Sequence, residues 1–431
     1  MSVELICETS TEVTYQVTIS LCGSMLEAEE AIQQKLNEIG LAATQKKLEA
    51  FDTDGSPIVV GNKKFTSKGK TLKNYETLYG VASVERHVYQ SNEGGKTFCP
   101  LDDRARIILH ATPRFAKIVS FKYAQNGADA VLADLIECHQ RKISNRTIKS
   151  LGDVVGDFAT AKEEHWEYEL PPFERKVSSI GIGVDGTCMQ MHDDGWREAM
   201  CGSVAFYDAK GERMHTIYLG QTPEYGKETF HETMLREVNR VKEKFPDVPT
   251  IGLADGAKDN WSFLEPLTDR QVVDFWHVSE YVGKASKILF PKKSQNEERE
   301  SWLENCLHRL KHNHGAASRL LKELKERLET LNSQKKLTRE RKSTLQSVVT
   351  YLTNQKHRMN YAYEVERHCP IGSGVTESAC KLLIKSRFCK SGARWKDDGA
   401  RAMMSIRSLR LTEGRWKAFW KKIDQYGFYK R

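Results

Sequence analysis

Two aspartates each stand at the predicted end of a strand, directly before a glycine. Asp185 follows the apolar run VSSIGIGV, and Asp255 follows PTIGLA. Glycine lets the backbone turn sharply, so each carboxylate is expected at the edge of a sheet. Mg²⁺ takes carboxylate oxygens as ligands and leaves room for substrate phosphates. An ordinary turn is the commoner explanation for either aspartate alone, but the pair indicates a metal-dependent phosphoryl-transfer site.

Glu377 is the candidate for a third carboxylate, which a site with two metal ions about 3.5–4 Å apart would need. It lies in the first turn of a predicted helix, after the helix-breaking segment PIGSGV (370–375). The flexible glycines of that segment would let the helix start approach a metal pocket. The free N–H groups at the start of that helix, together with Lys381, Lys385 and Arg387, would then face phosphates. Alternatively, Glu377 complements the helix dipole or pairs with Lys381.

The elements that carry the two aspartates have a recognisable order. Apolar runs and amphipathic segments over residues 177–289 predict strand, strand, strand, helix, strand, helix, strand, helix. This is the order of the ribonuclease H fold, in which the first three strands form an antiparallel meander and the last two lie parallel to the first. The first and fourth strands are then neighbours. We therefore predict an α/β, ribonuclease H-like mixed sheet that brings Asp185 and Asp255 to one pocket.

An all-helical insertion is predicted between this sheet and Glu377. From Pro291 to Pro370 the chain has one internal glycine, no internal proline and a dense charged amphipathic pattern.

The predicted organisation has five sections, which are an N-terminal helical region and linker (1–75), a hairpin and helix-turn-helix DNA-binding region (76–170), the first part of the catalytic core (171–291), the helical insertion (292–369), and the catalytic helix with a basic C-terminal region (370–431).

The N-terminal part is predicted to be mainly helical. Residues 25–51 have apolar spacing near 3.6, which is typical of one or two amphipathic helices. Residues 52–75 have the glycine, serine, aspartate and lysine content of a loop or linker. Alternation on either side of Gly80 suggests a hairpin.

Two further helical segments, 127–139 and 145–158, outline a helix-turn-helix with Ser144 as the N-cap of the second helix. If this motif binds DNA, the first turns of the second helix would meet the groove through Asn145, Arg146 and Lys149. The alternative is an αα-hairpin that only packs, which is commoner for such a pair of helices.

The charge distribution indicates an anionic partner. The net charge is +8, yet residues 1–34 contain six glutamates and no lysine or arginine. Residues 376–431 hold 15 basic against 5 acidic residues, interleaved with aromatic ones. Such mixing suits a nucleic acid, with Arg394, Trp395 and Lys396 among the candidate contacts. The alternative is a solvated basic helix whose tryptophans lie in a core.

Composition excludes other classes. No run approaches the roughly 18 apolar residues that a membrane span needs. The first basic residue is Lys35, so the start lacks the basic segment of a secretory signal, and a cytoplasmic protein is expected. The ten cysteines contain no CxxC pair, so neither a disulfide framework nor a zinc ribbon is predicted.

The sequence also resembles a known family, the DDE transposases of bacterial insertion sequences. It is similar to the Kra-type (ISKra-like) group and more distantly to Mutator-like transposases. The resemblance covers about residues 50–425 and rests on DTDGSPIVVG, KGKTLKNYETLYG, VYQSNEGGKTFCPLDD, GVDGT, DDGWREA, LADGAKDNW, DFWHVSEYV, PIGSGVTESACK and SGARWK. It implies that Asp185, Asp255 and Glu377 form the catalytic and metal-binding triad of a nucleoid-associated bacterial protein.

The resemblance also draws attention to His277. Related eukaryotic elements have an Asp or Cys three positions before a His after the second catalytic Asp, and DFWH supplies Asp274 and His277 here. His277 would hold DNA at the cleavage point or orient a group of the metal site. A capping or packing histidine is the alternative. Trp196 and Trp261 could stack a flipped base, although core packing is commoner for such residues.

The expected function is therefore DNA transposition by two-metal phosphoryl transfer, with two Mg²⁺ for which Mn²⁺ could substitute. The partners would be the terminal inverted repeats of an insertion sequence and target DNA. A homodimer or larger assembly is expected, because two DNA ends must be joined. A ribonuclease H-fold nuclease or junction resolvase would share the carboxylates. A domesticated DNA-binding protein is a further alternative, against which the intact carboxylates argue.

Overall fold

The structure is a computed structural model that describes residues 3–9, 11–390 and 392–428. Ser391 of the SGARWK motif and residues 429–431 of the basic C-terminal section lie outside the described residues. The chain divides into two compact units. The N-terminal unit comprises Met1–Tyr168, Arg401–Arg410 and Arg415–Arg431, and the sheet unit comprises Glu169–Ala400 and Leu411–Gly414. Within the described ranges, no helix is both long and apolar enough to cross a membrane.

The N-terminal unit begins with strands. One two-stranded sheet consists of β1 (Val3–Glu8) and β2 (Val13–Val17), and a three-stranded antiparallel sheet consists of β3 (Ile58–Val60), β4 (Lys63–Glu76) and β5 (Val81–Ser91). The helices of this part are α1 (Met25–Glu49), α2 (Pro100–Arg104), α3 (Pro113–Tyr123), α4 (Ala128–His139) and α5 (Asn145–Lys162).

The prediction of a mainly helical N-terminal region is wrong, because much of the segment 52–75 forms strands rather than a linker. The lysines and small polar residues of β4 occupy mostly exposed positions, whereas Tyr75 is fully buried. An antiparallel sheet with one face in solvent accepts such residues, so their content did not identify a loop. The helix over 25–51 and the hairpin about Gly80 are confirmed.

The predicted helix pair of the N-terminal unit is also present. The Ser144 hydroxyl accepts the Thr147 N–H at 3.0 Å, which confirms the predicted N-cap of α5. The apolar face of α5 is buried through Ile148, Leu151 and Val155. These contacts explain how the pair packs. Binding of DNA by the pair stays a prediction.

The sheet unit has the predicted order of elements. Its strands are β6 (Ser179–Met191), β7 (Gly195–Tyr207), β8 (Arg213–Gln221), β9 (Thr250–Ala254) and β10 (Arg270–Val273), and the spatial order is β10-β9-β6-β7-β8. β6, β7 and β8 are antiparallel, whereas β9 lies parallel to both β6 and β10. The connecting helices are α6 (Glu228–Lys244), α7 (Lys258–Leu264) and α8 (Phe275–Leu289). The five-stranded mixed sheet is therefore confirmed.

The predicted helical insertion follows the sheet. It contains α9 (Asn296–His312), α10 (Ala316–Ser333), α11 (Arg339–Gln355) and α12 (Tyr361–Glu366). Their apolar side chains, including Leu324 and Val348, share one buried core with sheet residues such as Ile182 and Ile251. The insertion is therefore packed into the sheet unit.

Five further helices follow the insertion in the described residues. They are α13 (Gly374–Ala379), a π-helix (Cys380–Lys385), α14 (Ser386–Phe388), α15 (Asp397–Leu411) and α16 (Arg415–Tyr426). Phe419 and Trp420 of α16 are buried, and the rings of Phe419 and Phe158 lie 6.3 Å apart. These aromatic residues of the basic C-terminal region thus pack in the core of the N-terminal unit, as the alternative explanation of that region proposed.

Gly183 on β6 allows the helix that carries Glu377 to lie close to the sheet. A Cβ at this glycine would stand 2.0 Å from the hydroxyl oxygen of Thr376. Thr376 is buried on α13, and its hydroxyl is 2.7 Å from that of Ser203 on β7. There is consequently no room for even one methyl group between strand and helix.

We expect Gly183→Ala to destabilise the protein by about 1–3 kcal/mol, because the added methyl group overpacks this contact. The matched control is Gly283→Ala on α8, where a Cβ meets nothing within 4 Å. That change should stabilise by up to about 1 kcal/mol through helix propensity. Denaturant unfolding of both variants measures the difference. Equal effects would show that the contact of Gly183 is not tight.

Candidate active site in the sheet unit

Asp185 lies within β6 and not at its end, which corrects the prediction. β6 continues beyond it as a ribbon with β7, but its parallel pairing with β9 stops at Gly183. The carboxylate therefore stands just past the end of the neighbouring strand. Gly186 forms no sharp turn. It remains in the strand, and a Cβ there would meet the Glu198 carboxylate at 2.4 Å.

Asp255 directly follows β9, as predicted. Its Oδ1 accepts the Ala257 N–H at 2.9 Å and a hydrogen bond from the Asn260 amide at 3.2 Å. Its backbone carbonyl accepts the Trp261 indole N–H at 2.7 Å. Because Trp261 is only 3% exposed, it packs in the core and is not available to stack a base.

Glu377 lies in the first turn of α13, also as predicted. Its Oε1 is 3.2 Å from the Ser373 hydroxyl and 3.8 Å from His277 Nε2. The π-helix begins three residues after Glu377 and contains Lys381 and Lys385. Such wide turns are rare and often mark functional sites.

These side chains line one cleft of about 950 Å³. Its acidic residues are Asp185, Asp255, Glu280 and Glu377, and its basic or aromatic residues include His277, Lys381, Lys385 and Trp276. The structure thus brings together the three predicted carboxylates, His277 and two of the predicted lysines.

Sequence reasoning missed Trp276 and Glu280 as cleft residues. Trp276 is 68% exposed, and Glu280 Oε2 is 4.0 Å from His277 Nδ1. Both lie on α8 beside His277. Their spacing of four residues places them on one helix face, which is the signal that could have identified them.

The electrostatics of the cleft disfavour a further negative charge. Burial raises the pKa of Asp185. Hydrogen bonds from the Gly186 N–H (2.8 Å) and the Cys380 thiol (3.5 Å) lower it, but the charges of the neighbouring Asp255 and Glu377 add to the rise. A bound cation would relieve this repulsion.

The Cys380 thiol donates a hydrogen bond to the Asp185 carboxylate and is a poor nucleophile. Its pKa is raised, first by a hydrogen bond with Cys201 and then by burial. Asp185 and Cys201 are opposite each other in the β6–β7 ladder, so their side chains share one face of the sheet. The thiol therefore stays protonated beside the Asp185 carboxylate.

The donor set of the cleft fits a hard divalent cation, because it consists of carboxylates next to basic residues that suit phosphates. In the described part of the chain, however, no three or more His, Cys, Asp and Glu side chains are grouped so that they could hold a metal ion. The three carboxylates share the cleft without converging on one point.

Four other predicted contacts lie in the sheet unit. Within the described residues, the cleft lining does not include Arg387, Arg394, Trp395 or Lys396. The Arg387 guanidinium lies 4.6 Å from the centre of the Trp395 ring. The Trp395 carbonyl accepts the His192 N–H at 2.7 Å, so this tryptophan holds the end of the β6–β7 hairpin. Arg394 and Lys396 are exposed.

The predicted helix-turn-helix contacts lie in the N-terminal unit. The side-chain amide of Asn145 donates to Asp129 Oδ1 at 2.5 Å, so it ties α5 to α4. Arg146 and Lys149 are exposed on α5.

Trp196, in the sheet unit, is 64% exposed and is not among the described residues that line the cleft.

A comparison of the sequence with protein-family models found no match, and a comparison with curated proteins found none either.

The raised pKa of Asp185 predicts a measurable stability difference. The folded state binds the Asp185 proton more tightly than the unfolded state, so its contribution to stability falls as pH rises from the acid range. At neutral pH without added metal, Asp185→Asn should raise Tm by about 2–4 °C, the change for about 1 kcal/mol in a unit of this size. The gain should shrink as the pH approaches 4.

Asp208→Asn is the matched control, because the pKa of Asp208 is lowered. Burial raises that pKa, but the N–H groups of Glu212 and Lys210 and the charge of Arg175 outweigh it. This variant should lose stability at neutral pH. Thermal unfolding across pH tests both. An Asp185→Asn variant that is less stable than the wild type at pH 7 would contradict the electrostatic description of the cleft.

Proposed function

We propose that this chain is a DDE-type DNA transposase with a ribonuclease H-like core. It would bind the ends of an insertion sequence, cleave them, and transfer the 3′-OH ends to target DNA. One observation carries the proposal: carboxylates from β6, from the end of β9 and from the helix after the insertion line the same cleft as Lys381 and Lys385.

The topology supports this proposal. The sheet order β10-β9-β6-β7-β8, with an antiparallel meander followed by parallel strands, is the arrangement expected for a ribonuclease H-like sheet. The four helices α9–α12 precede Glu377, in agreement with the insertion that the family resemblance implies. Fold alone does not define activity, so the cleft residues carry the functional argument.

Asp185, Asp255 and Glu377 would hold two Mg²⁺ or Mn²⁺ ions. Bound there, such ions would polarise the scissile phosphate and lower the pKa of an attacking water. The carboxylates would have to converge for this. Burial and, to a lesser extent, the charges of Asp255 and Glu377 raise the pKa of Asp185, and a bound cation would offset both effects.

The other cleft residues would bind and orient DNA. Lys381 and Lys385 lie on the π-helix and would contact phosphates as point charges. Cys380 stays protonated, so it would not attack phosphorus. Water would then be the nucleophile in cleavage, and a DNA 3′-OH would be the nucleophile in joining.

Other surfaces would recognise the ends. Arg146 and Lys149 are exposed at the start of α5, where a helix-turn-helix meets the major groove. Arg394 and Lys396 are exposed basic residues that would add contacts to phosphates. A homodimer or larger assembly in the bacterial nucleoid would hold two ends together.

The test of the mechanism uses labelled DNA with the inverted repeats that flank the gene. A pre-cut end with a 3′-OH should join target DNA in Mg²⁺ or Mn²⁺, whereas a 3′-dideoxy end should bind but not join. Ca²⁺ should not support joining, because its looser coordination does not fix the phosphate for in-line attack. Asp255→Asn and Glu377→Gln should remove joining and keep DNA binding. Sequencing gels measure all of these products.

Hydrolysis without joining would instead favour a nuclease or resolvase. A covalent protein–DNA adduct would contradict the two-metal mechanism, since it requires a protein nucleophile. DNA binding without any cleavage by the wild type would favour a domesticated DNA-binding protein.

The lysines of the π-helix give a separate prediction. Lys381→Ala and Lys385→Ala should each weaken binding of cleaved ends and reduce the slope of log affinity against log salt by about 1, because each removes one phosphate contact. Lys325→Ala, on the exposed face of α10, is the control and should change neither. Filter binding at several salt concentrations measures this. Unchanged salt slopes in both cleft variants would show that these lysines do not contact the phosphates.

A further inference from the structure

Asp274 joins the two elements that carry Asp255 and Glu377. It lies between β10 and α8, and it is fully buried. Its backbone N–H donates to the carbonyl of Ala254, one residue before Asp255, at 2.8 Å. Its side chain accepts hydrogen bonds from both the backbone N–H and the hydroxyl of Ser373, four residues before Glu377. One residue thus contacts the chain next to two of the three carboxylates.

Capping of α8 does not account for the burial of Asp274. Its Oδ1 caps the helix by accepting the His277 N–H at 2.9 Å, but a cap residue does this equally well when it is exposed. A buried carboxylate is costly unless hydrogen bonds compensate it. The second oxygen, Oδ2, accepts two hydrogen bonds from Ser373. Helix capping therefore accounts for only one of the two carboxylate oxygens.

The Ser373 hydroxyl lies between the carboxylates of Asp274 and Glu377. Its oxygen is 2.6 Å from Asp274 Oδ2 and 3.2 Å from Glu377 Oε1. A hydroxyl has one hydrogen to donate, and the shorter contact is to Asp274. The Glu377 carboxylate therefore keeps its lone pairs for another ligand, while the loop before its helix stays fixed.

A backbone bond strengthens the same junction. The Phe275 N–H donates to the Ile371 carbonyl at 3.1 Å, so the start of α8 and the loop before α13 are joined at two points. With these bonds in place, the start of α13 is held against the end of β10.

We propose that Asp274 is a positioning residue that acts through Ser373 to hold the start of the Glu377 helix at the cleft that Asp185 and Asp255 also line. This inference rests on the proposed function, because it assumes that the three carboxylates bind divalent ions together. It assigns Asp274 no contact with DNA or metal.

The test measures Mn²⁺ binding to the purified full chain by electron paramagnetic resonance of free Mn²⁺, alongside cleavage of labelled DNA. In Asp274→Asn, the amide oxygen can still cap α8, but the NH₂ group cannot accept from Ser373. We expect Mn²⁺ affinity to fall by about 10–100-fold, the usual cost of losing such a supporting bond. Ser373→Ala removes the hydroxyl bond and keeps the backbone bond, so its loss should be smaller.

Asp269→Asn is the matched control. Asp269 Oδ2 accepts the backbone N–H of Thr250 at 2.7 Å and its hydroxyl at 2.8 Å, the same pair of donors, at the opposite end of β9. Asp269 is more exposed and lies away from Glu377 along the chain and the strand. This variant should lose some stability in thermal unfolding and bind Mn²⁺ with wild-type affinity.

The inference is overturned if Asp274→Asn and Ser373→Ala both bind Mn²⁺ like the wild type. It is also overturned if Asp269→Asn weakens binding as much as Asp274→Asn, since the effect would then be one of general stability. If Asp274→Asn does not fold, Ser373→Ala alone decides. If the wild type binds no Mn²⁺, or if Glu377→Gln binds it normally, the proposed function fails as well.

Discussion

A buried carboxylate beside two other carboxylates is the constraint on which this site depends. Asp185, Asp255 and Glu377 line one cleft, and the pKa of Asp185 is raised by burial and by the charges of the other two. Like charges that share a cleft repel one another. A cation bound in the cleft would reduce this repulsion.

The fold places the three carboxylates on different elements of one packed unit. Asp185 stands on the central strand just where its parallel neighbour ends, and Asp255 follows that neighbour. Glu377 arrives from much later in the chain, after four helices that share the core of the sheet. Because Gly183 has no side chain, the helix that carries Glu377 can lie close to the sheet. The buried Asp274 accepts hydrogen bonds from Ser373, in the loop before that helix.

Periodicity alone predicted the order of strands and helices in the sheet unit, since buried strands and amphipathic helices leave clear patterns. It also placed Asp255 after β9 and Glu377 in a first turn. It misplaced Asp185 at a strand end, because a strand that continues as a two-stranded ribbon looks like a strand followed by a turn. It also took much of β4 for a linker, because its exposed lysines and small polar residues hide the alternation expected of a sheet with one face in solvent.

Other features of the site depend on tertiary contacts that no local pattern encodes. The π-helix after Glu377 has wider turns and longer-range hydrogen bonds than an α-helix, but the sequence CKLLIK is that of an ordinary amphipathic helix. The buried side chain of Asp274 accepts a hydrogen bond from Ser373, 99 residues away along the chain. The rings around Phe419 likewise include those of Phe158 and Trp166, which are distant from it in the chain.

The proposed function requires that three carboxylates from separate elements bind divalent cations at one site. Anomalous diffraction from crystals soaked in Mn²⁺ tests this requirement. Two peaks are expected in the cleft, about 3.5–4 Å apart and bound by Asp185, Asp255 and Glu377. A cleft without a peak, or Mn²⁺ bound only at other side chains, would contradict it.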